Sequence, residues 1–393
     1  MSIDPLTTGL IHHPYAPPAG FGAVPPAVHK ASTVIFRDTQ AFRERSMKSR
    51  AGYVYGLHGT PTTFTLEQRI ATLEGGSHCV LVPSGLAAIT LVDLALLKQG
   101  DEVLLPHNVY GPSREAARTL LAHMGVRWRE YDAMNAASLA ALCGPATQLV
   151  WLEAPGSVSM EFPDLPALVQ AVRSRCSATV ALDNTWGAGV AFNAFETGVD
   201  IAMHALTKYP SGGADVLMGS VVTRDEALFQ RILHMHSITG IGVSANDAEF
   251  MLRSLPTLRV RYAAHDQAAR ELARWLKARP EVAQVLHPAL QGSPGHEHWK
   301  AHCTAAAGLF SVMFDARYTV AQVDEFVDGL KLFAIGSSWG GPMSLAVAYN
   351  IQSMRTAGAP LQGHLVRFSI GLEAVNDLRD DLAQALARAF AVI

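Results

Sequence analysis

Apolar and polar positions alternate along the chain with two periods from about residue 61 onward. Short apolar runs bounded by turn residues predict buried strands, whereas longer stretches with apolar residues every three or four positions predict helices. The predicted strands are 79–82, 102–105, 148–152, 179–182, 200–203 and 217–222. The predicted helices among them are 65–73, 86–97, 113–124 and 165–173. This alternation indicates a mostly parallel sheet that is covered on both faces.

A different pattern precedes and follows this region. Residues 1–60 are rich in Pro, Gly, His and Thr and show no long period, which is typical of an arm. Residues 246–274 predict one long helix. Beyond it the pattern predicts strands at 282–286, 309–314 and 364–370, a helix at 321–330 and a final Ala-rich helix. We therefore expect an arm over 1–60, an α/β domain over 61–250 and a smaller α+β domain over 251–393.

Composition narrows the class of protein. Of the 393 residues, 49% are hydrophobic and only 17% are charged, so we expect a large core and a surface partly covered by other subunits. A net charge of −3 without a basic block argues against a nucleic-acid partner or an anionic membrane surface. No apolar stretch reaches the roughly 18 residues of a membrane span, and no signal peptide is evident. Four cysteines without CxxC spacing are typical of reduced thiols in a cytoplasmic protein.

Lys208 lies between two strand-like apolar runs, at 200–203 and 216–222. Burying an ammonium is costly unless it is neutralised, paired or used covalently. A desolvated lysine amine is the nucleophile that forms Schiff bases. Asp183 directly follows another predicted strand, at the mouth of a sheet where an open α/β fold keeps its ligand. A lysine for an aldehyde and an aspartate for a pyridinium nitrogen are what pyridoxal phosphate needs.

A candidate phosphate site lies at the turn Ser84-Gly85-Leu86, which follows a predicted strand and opens a predicted helix. Free backbone amides and the positive end of a helix dipole suit one phosphate group. Alone, such a turn is more often a plain connection between a strand and a helix. Together with Lys208 and Asp183 it predicts a phosphate-binding site, which we call the phosphate cup. A nicotinamide oxidoreductase would show the same alternation, yet the G-x-G-x-x-G fingerprint follows none of the predicted strands.

Longer motifs resemble the Cys/Met-metabolism enzymes dependent on pyridoxal phosphate. Residues 208–219, Lys-Tyr-Pro-Ser-Gly-Gly-Ala-Asp-Val-Leu-Met-Gly, are similar to the family's lysine motif. Further ordered matches between about residues 50 and 375 include Tyr55-Gly-Leu-His-Gly-Thr, Tyr110-Gly-Pro-Ser, Asp183-Asn-Thr-Trp and Arg367-Phe-Ser-Ile-Gly. Pro-Gly-Ser-Val-Ser-Met-Glu at 155–161 and Ser-Ser-Trp-Gly-Gly at 337–341 look most like bacterial cystathionine β-lyases.

The resemblance implies an aspartate-aminotransferase-like fold, known as fold type I. Its large domain would carry a mostly parallel seven-stranded sheet, and a smaller C-terminal α+β domain would follow. Lys208 would hold the cofactor covalently and then act as the base at Cα, while Asp183 would keep the ring nitrogen protonated. Tyr110 would stack on the ring, and Tyr55 would come from a neighbouring subunit. Lys208, Tyr110 and Tyr55 are thus the candidate catalytic residues.

On the substrate side, the resemblance implies that Arg367 clamps the α-carboxylate with a bidentate fork, which lysine could not reproduce. Ser338 and Trp339 would line the pocket beside it. Simpler interpretations stay open for each: a buried ion pair for Arg367 and a core side chain for Trp339. The helix N-cap position, which favours aspartate, is the corresponding alternative for Asp183.

The phosphate end departs from the family pattern. The position two places after Tyr55, usually arginine, is Leu57, and the position three places before the lysine, usually serine, is Ala205. The neighbouring His58 could substitute, although a neutral imidazole is a weaker anchor. Together with Tyr55, the Gly85 and Leu86 amides and the Thr207 hydroxyl are the other predicted contacts. We expect looser retention of the cofactor.

The resemblance implies a homotetramer, a dimer of dimers that share active sites through the arm. It also implies α,β-elimination of L-cystathionine, which yields homocysteine, pyruvate and ammonia. A γ-lyase or γ-synthase is the alternative within the family, because Lys208 could remove protons at both Cα and Cβ. A protein that binds pyridoxal phosphate with little turnover is a further alternative. Pairs such as His12-His13 lack metal-ligand spacing, so we expect no metal.

Overall fold

The computed structural model describes residues 4, 6–15, 17–46, 50, 52–354 and 363–390, with the backbone alone at 353. Eleven strands are described: β1 His78–Val82, β2 Glu102–Pro106, β3 Arg127–Tyr131, β4 Thr147–Glu153, β5 Thr179–Asp183, β6 Ile201–His204, β7 Gly219–Thr223, β8 Val282–Leu286, β9 Leu309–Phe314, β10 Leu345–Tyr349 and β11 His364–Ser369.

Fourteen α-helices are described in the same part of the chain. They are α1 Thr8–Ile11, α2 Thr39–Glu44, α3 Pro61–Glu74, α4 Gly85–Leu96, α5 Gly111–Ala116, α6 Ala136–Leu142, α7 Leu165–Arg173, α8 Glu226–Thr239, α9 Ala245–Ser254, α10 Leu258–Lys277, α11 His296–His302, α12 Val320–Asp328, α13 Ile351–Met354 and α14 Val375–Ala389.

The large sheet has seven strands in the order β1-β7-β6-β5-β4-β2-β3. Strand β7 runs antiparallel to both of its neighbours, and the other neighbouring strands are parallel. The expected mostly parallel, seven-stranded sheet is therefore confirmed. Because the parallel strands share one direction, their carboxyl ends meet at the same edge, which is where α/β proteins bind ligands.

Alternation along the central strands explains why both faces are covered. In β5, Val180 and Leu182 belong to one hydrophobic cluster, whereas Ala181 belongs to a second cluster across the sheet. All three side chains are fully buried. A strand buried on both faces reads as a continuous apolar run, which is why the sequence predicts β5 without a clear period.

The small sheet is antiparallel, in the order β10-β11-β9-β8. A third hydrophobic cluster lies between this sheet and the helices α10, α12 and α14, whose apolar sides face inward. The predicted boundary near residue 250 falls inside α9, which precedes α10. In α10, Leu258 and Tyr262 pack with the large-sheet cluster, whereas Leu272 and Leu276 pack with the small-sheet cluster.

Three details differ from the expectations. The single helix predicted over 246–274 is two helices, α9 and α10, joined by a short 3-10 turn at Leu255–Thr257 that contains Pro256. Proline lacks the N–H that a continuous helix needs, so the division has a local cause. Strands β3 and β10 are also present, although neither is among the strands predicted above. The predicted strand over 217–222 begins two residues later, at Gly219.

Candidate active site

A cavity of about 450 Å³ opens at the carboxyl ends of β2, β4, β5 and β6. The small sheet closes its other side. The loops after these strands and the facing residues of the small domain line it together. Among the predicted site residues, the lining includes Ser84, Gly85, Leu86, Tyr110, Asp183, Thr207, Lys208, Trp339 and Arg367. Residues that are far apart in sequence thus share one cavity.

Lys208 lies in the turn between β6 and β7, and its amine points into the cavity. The Nζ atom donates a 2.7 Å hydrogen bond to the hydroxyl of Ser338, and it lies 5.3 Å from the ring centroid of Trp339. Burial lowers the pKa of Lys208 to about 8, with a further lowering by Arg367 that Asp183 opposes. A sizeable fraction of the amine is therefore neutral near pH 8, which is the form that acts as a nucleophile and base.

Asp183 ends β5 and lies beside Glu153, its register partner at the end of β4. Burial raises the pKa of Asp183, but the backbone and hydroxyl of Thr185 donate to its Oδ1 at 2.9 and 2.5 Å and favour the charged form. Burial, and then the charge of Asp183, raise the pKa of Glu153 well above its usual range. A proton is thus favoured on Glu153 and the negative charge on Asp183.

Tyr110 follows β2, lines the cavity and is 41% exposed. Its backbone N–H donates to the Glu153 carboxyl at 2.7 Å, which fixes the start of α5. Burial, followed by the nearby carboxyls of Asp183 and Glu153, raises the pKa of the phenol. Tyr110 is therefore held as a neutral, partly open aromatic surface.

The turn at Ser84-Gly85 forms the amino-terminal end of α4. The Ser84 hydroxyl caps this helix by accepting from the Ala87 amide at 3.0 Å. A side chain at Gly85 would place its Cβ 2.6 Å from the Cβ of Ala205, so only glycine fits against β6. The Thr207 hydroxyl both donates to and accepts from the backbone of Met218, at 3.1 and 3.0 Å. Helix amides dominate this end of the cavity, where none of the described lining residues at Ser84, Gly85, Ala205 and Thr207 is cationic.

Tyr55 and His58 do not line the cavity of their own protomer in the described structure. Tyr55 is 47% exposed, next to the short 3-10 turn at Gly56–His58. His58 lies against α8, with its Nδ1 3.4 Å from the Ser237 hydroxyl. Burial, and then the charge of Arg50, lower the pKa of His58. A neutral imidazole therefore occupies this position at pH 7.

Arg367 projects from β11 toward the cavity and is only 7% exposed. It donates to the backbone carbonyl of Ser337 at 3.3 Å, and its guanidinium lies 5.1 Å from the ring centroid of Tyr349. Among the described residues, no carboxylate lies within salt-bridge distance of it, so the alternative of a buried ion pair finds no support there. A buried cation without an acidic partner suits an anionic ligand.

The groups that line the cavity match the functional groups of pyridoxal phosphate. It offers a partly neutral lysine amine for the aldehyde, a buried charged carboxylate for the ring nitrogen, an open aromatic face and a helix amino terminus for the phosphate. These features belong to Lys208, Asp183, Tyr110 and Gly85 respectively. The same cavity holds Arg367, which can bind a substrate carboxylate.

Several lining residues escaped sequence reasoning. Glu153 positions Tyr110, and Tyr349 and Met354 line the substrate side from the small domain. Glu153 stands at the end of a predicted strand, as Asp183 does, and that position was the available signal. Nothing in the local sequence of Tyr349 or Met354 indicates the cavity, because their approach depends on how the two sheets pack.

Among the described residues, no group of three or more His, Cys, Asp or Glu side chains is arranged to hold a metal ion. None of the helices in that part of the chain is long and apolar enough to cross a membrane.

Comparison with known proteins places this geometry in a family. The family model described as "Cys/Met metabolism PLP-dependent enzyme" matches residues 7–387. A putative cystathionine beta-lyase of Rhizobium johnstonii is 41% identical, covering 94% of this chain and 92% of that protein. The cystathionine beta-lyase MetC of Escherichia coli K12 is 37% identical over 99% of this chain and 100% of its own length.

A solved structure agrees with the sequence comparison. The crystal structure of metB from Corynebacterium glutamicum superposes with a TM-score of 0.90 at 30% identity, covering 98% of this chain and 100% of that one. The agreement extends over both sheets, so the resemblance is not confined to the lysine motif. The chain belongs to the family of Cys/Met-metabolism enzymes that depend on pyridoxal phosphate.

Proposed function

We propose that the protein is a carbon–sulfur lyase of the cystathionine β-lyase type, which cleaves L-cystathionine to homocysteine, pyruvate and ammonia. The observation that carries this proposal is Lys208, whose partly neutral amine shares a cavity with Asp183 and with Arg367, a cation that has no carboxylate partner among the described residues. The names of the Rhizobium and Escherichia relatives support the choice of substrate within the family.

Each residue of the proposed site has a separate role in the reaction. Arg367 binds and orients the α-carboxylate through charge-assisted hydrogen bonds. Lys208 removes the proton from Cα and, once protonated, can deliver it to the departing sulfur. When the cofactor is bound, Asp183 would keep its ring nitrogen protonated, and Tyr110 would hold the ring. Bound pyridoxal phosphate supplies the electron sink that stabilises negative charge at Cα.

The overall reaction balances with one water. The Cβ–S bond of cystathionine breaks and the sulfur takes a proton, which gives homocysteine. The remaining three-carbon unit takes up water and yields pyruvate and ammonia. Ser338 supports this chemistry by holding the Lys208 amine at 2.7 Å on the substrate side of the cavity. Trp339 adds an apolar wall beside the same amine.

Product analysis tests the proposal directly. Purified protein incubated with L-cystathionine should release pyruvate and homocysteine, identified by mass spectrometry of the keto acid and thiol. Release of 2-oxobutyrate and cysteine would instead identify a γ-lyase, since Lys208 could also remove a Cβ proton. A protein that binds the cofactor but forms neither keto acid would be a binding protein with little turnover.

We infer that the active form is a homotetramer in the cytoplasm, with the arm over 1–60 reaching into a neighbouring subunit. The domains would divide at 61–250 and 251–393. Exposed apolar side chains in the arm support this assembly: Ile35 is 87% exposed and Val24 is 96% exposed. Tyr55 and His58 would then approach the neighbour's phosphate cup. Sedimentation velocity should give a mass of four chains, and a monomer would refute the inference.

Cofactor capture is expected to depend on pH through Lys208. Because the pKa of its amine is lowered to about 8, the neutral form becomes abundant as the pH rises through about 8. The rate at which apoprotein binds pyridoxal phosphate covalently should rise with pH and level off above about 9. Stopped-flow absorbance of the cofactor band measures this rate. A midpoint near the ordinary lysine value of 10.5 would contradict the desolvation argument.

Cofactor affinity should increase when a hydroxyl is restored at the phosphate end. Ala205 lies against the amino terminus of α4, so Ala205→Ser can add one hydrogen bond to a charged phosphate. Such a bond contributes about 1.5 kcal/mol, and the dissociation constant should fall roughly tenfold. Equilibrium titration of apoprotein measures it. Ala205→Cys, similar in size but a weak donor, is the control, and equal affinity of the two variants would contradict the prediction.

A further inference from the structure

Arg114 connects three separate segments at the mouth of the cavity. It lies in α5, four residues after Tyr110. Its guanidinium donates to the His107 carbonyl at 2.5 Å and to the Met354 carbonyl at 3.0 Å, and it forms an ion pair with Glu130 of β3. The Arg114 side chain is 20% exposed and that of Glu130 is 9% exposed, so these contacts are largely shielded from water.

The bond to Met354 spans 240 residues of sequence and crosses from the large domain to the small one. Met354 ends α13, the single helical turn that follows β10. Tyr349, at the end of β10, and Met354 both line the cavity that contains Arg367. The contact therefore holds one wall of the cavity against α5, the helix that follows Tyr110.

A four-residue helix does not keep its place by helical propensity, because isolated helices of this length are unstable. Among the described contacts, a buried apolar side chain and a hydrogen bond help to locate α13. Ile351 is 3% exposed and packs in the large-domain cluster, and the Met354 carbonyl accepts from Arg114. Ile351 supplies apolar attraction without direction, whereas the hydrogen bond from Arg114 sets the orientation of the helix end.

We propose that Arg114 is a positioning residue for substrate binding. By holding α13, it keeps Tyr349 over the guanidinium of Arg367 and Met354 beside the substrate. This inference rests on the active site proposed above, in which Arg367 receives the α-carboxylate. Arg114 is not among the residues that line the described cavity, so its effect is expected on affinity for the amino acid and not on the proton transfers of Lys208.

Arginine is suited to this place because its planar fork carries five N–H donors in fixed directions. One guanidinium thereby reaches a carboxylate and two carbonyls that approach from different sides. A lysine here would keep a positive charge beside Glu130, yet its single ammonium could not serve all three partners. Arg114→Lys therefore separates the loss of the Met354 bond from the loss of charge.

The test compares Arg114→Lys with two other variants in the cofactor-loaded enzyme. Arg114→Lys should raise KM for L-cystathionine about tenfold while kcat stays within about twofold. Hydrogen exchange should become faster in peptides covering 345–354, and the cofactor absorbance should not change. Glu130→Gln leaves the fork on both carbonyls and should keep KM within about twofold. Arg118→Lys, on the exposed surface one turn later, is the matched control.

Two results would overturn the proposal. One is an unchanged KM in Arg114→Lys, and the other is an equal rise in Glu130→Gln, which would mean that the ion pair matters only for stability. Titration of the cofactor band with L-alanine, which has the carboxylate and amine but no leaving group, gives a readout independent of cystathionine. Weaker binding of L-alanine by Arg114→Lys supports the proposal even if the wild-type protein forms no pyruvate, an outcome that would refute only the proposed function.

Discussion

Replacing Lys208 by alanine is expected to lower kcat for cystathionine cleavage by about 10⁴-fold, because the variant loses the base at Cα. The wild-type amine is poised for this role, since burial lowers its pKa to about 8 and Ser338 holds it at 2.7 Å. The variant also loses the covalent attachment of the cofactor. Pyruvate formation measures the first effect. The visible absorbance band of the attached cofactor, and its mass after borohydride reduction, measure the second.

Lys98→Ala provides the control, because Lys98 is an exposed lysine two residues after α4 whose loss removes the same charge. It should retain normal turnover and normal cofactor mass. Residual activity in Lys208→Ala within tenfold of the wild type would assign the proton transfers to another group. Cofactor attached by borohydride to a different lysine would overturn the assignment more directly.

The sequence predicted those strands that are buried on both faces of the sheet. Strands β4 and β5 are continuous apolar runs because helices cover both faces of the sheet. Strand β3, by contrast, reads Arg-Trp-Arg-Glu-Tyr and lies at the sheet edge, with Arg127 and Arg129 exposed. Edge strands are often marked by charges that block further pairing, so their apolar signal is weak. The charged residues of β3 therefore explain why the sequence pattern did not predict this strand.

The sequence predicted those site residues that lie directly beside an apolar run. Lys208 and Asp183 follow from local sequence, since each terminates or follows an apolar run at the same sheet edge. Their partners do not follow in that way. Glu153 reaches the backbone of Tyr110 across 43 residues, and Arg114 reaches Met354 across 240. Such contacts depend on tertiary packing, which no local period in the sequence encodes.

The two halves of the site also differ in how they are held. The cofactor side is fixed by the large sheet, where Asp183 and Glu153 are neighbours in register. The substrate side comes from the small sheet, where Arg367 pairs with Val347 and Ser311 in register. The distance from Arg367 to the cofactor side of the cavity therefore depends on how the two sheets pack. A substitution at Arg367 tests how much substrate binding relies on this arrangement.

Arg367→Lys is expected to lower kcat/KM for cystathionine about 100-fold, mainly through a higher KM. Arg367 is buried, faces the ring of Tyr349 and has no carboxylate partner among the described residues, so its fork is available to a substrate carboxylate. Lysine keeps the charge but loses the bidentate geometry, which corresponds to roughly 2.7 kcal/mol of binding. Steady-state kinetics of pyruvate release give the separate changes in kcat and KM.

Arg388→Lys is the matched control, since Arg388 lies on α14 with its side chain 63% exposed and should tolerate the same exchange. The cofactor band of Arg367→Lys should be normal, because Arg367 lies on the substrate side of the cavity. Titration with L-alanine should show the same loss of affinity as the kinetics. A variant with unchanged KM and weakened cofactor binding would mean that Arg367 serves the cofactor, and the substrate carboxylate would then need another partner in this cavity.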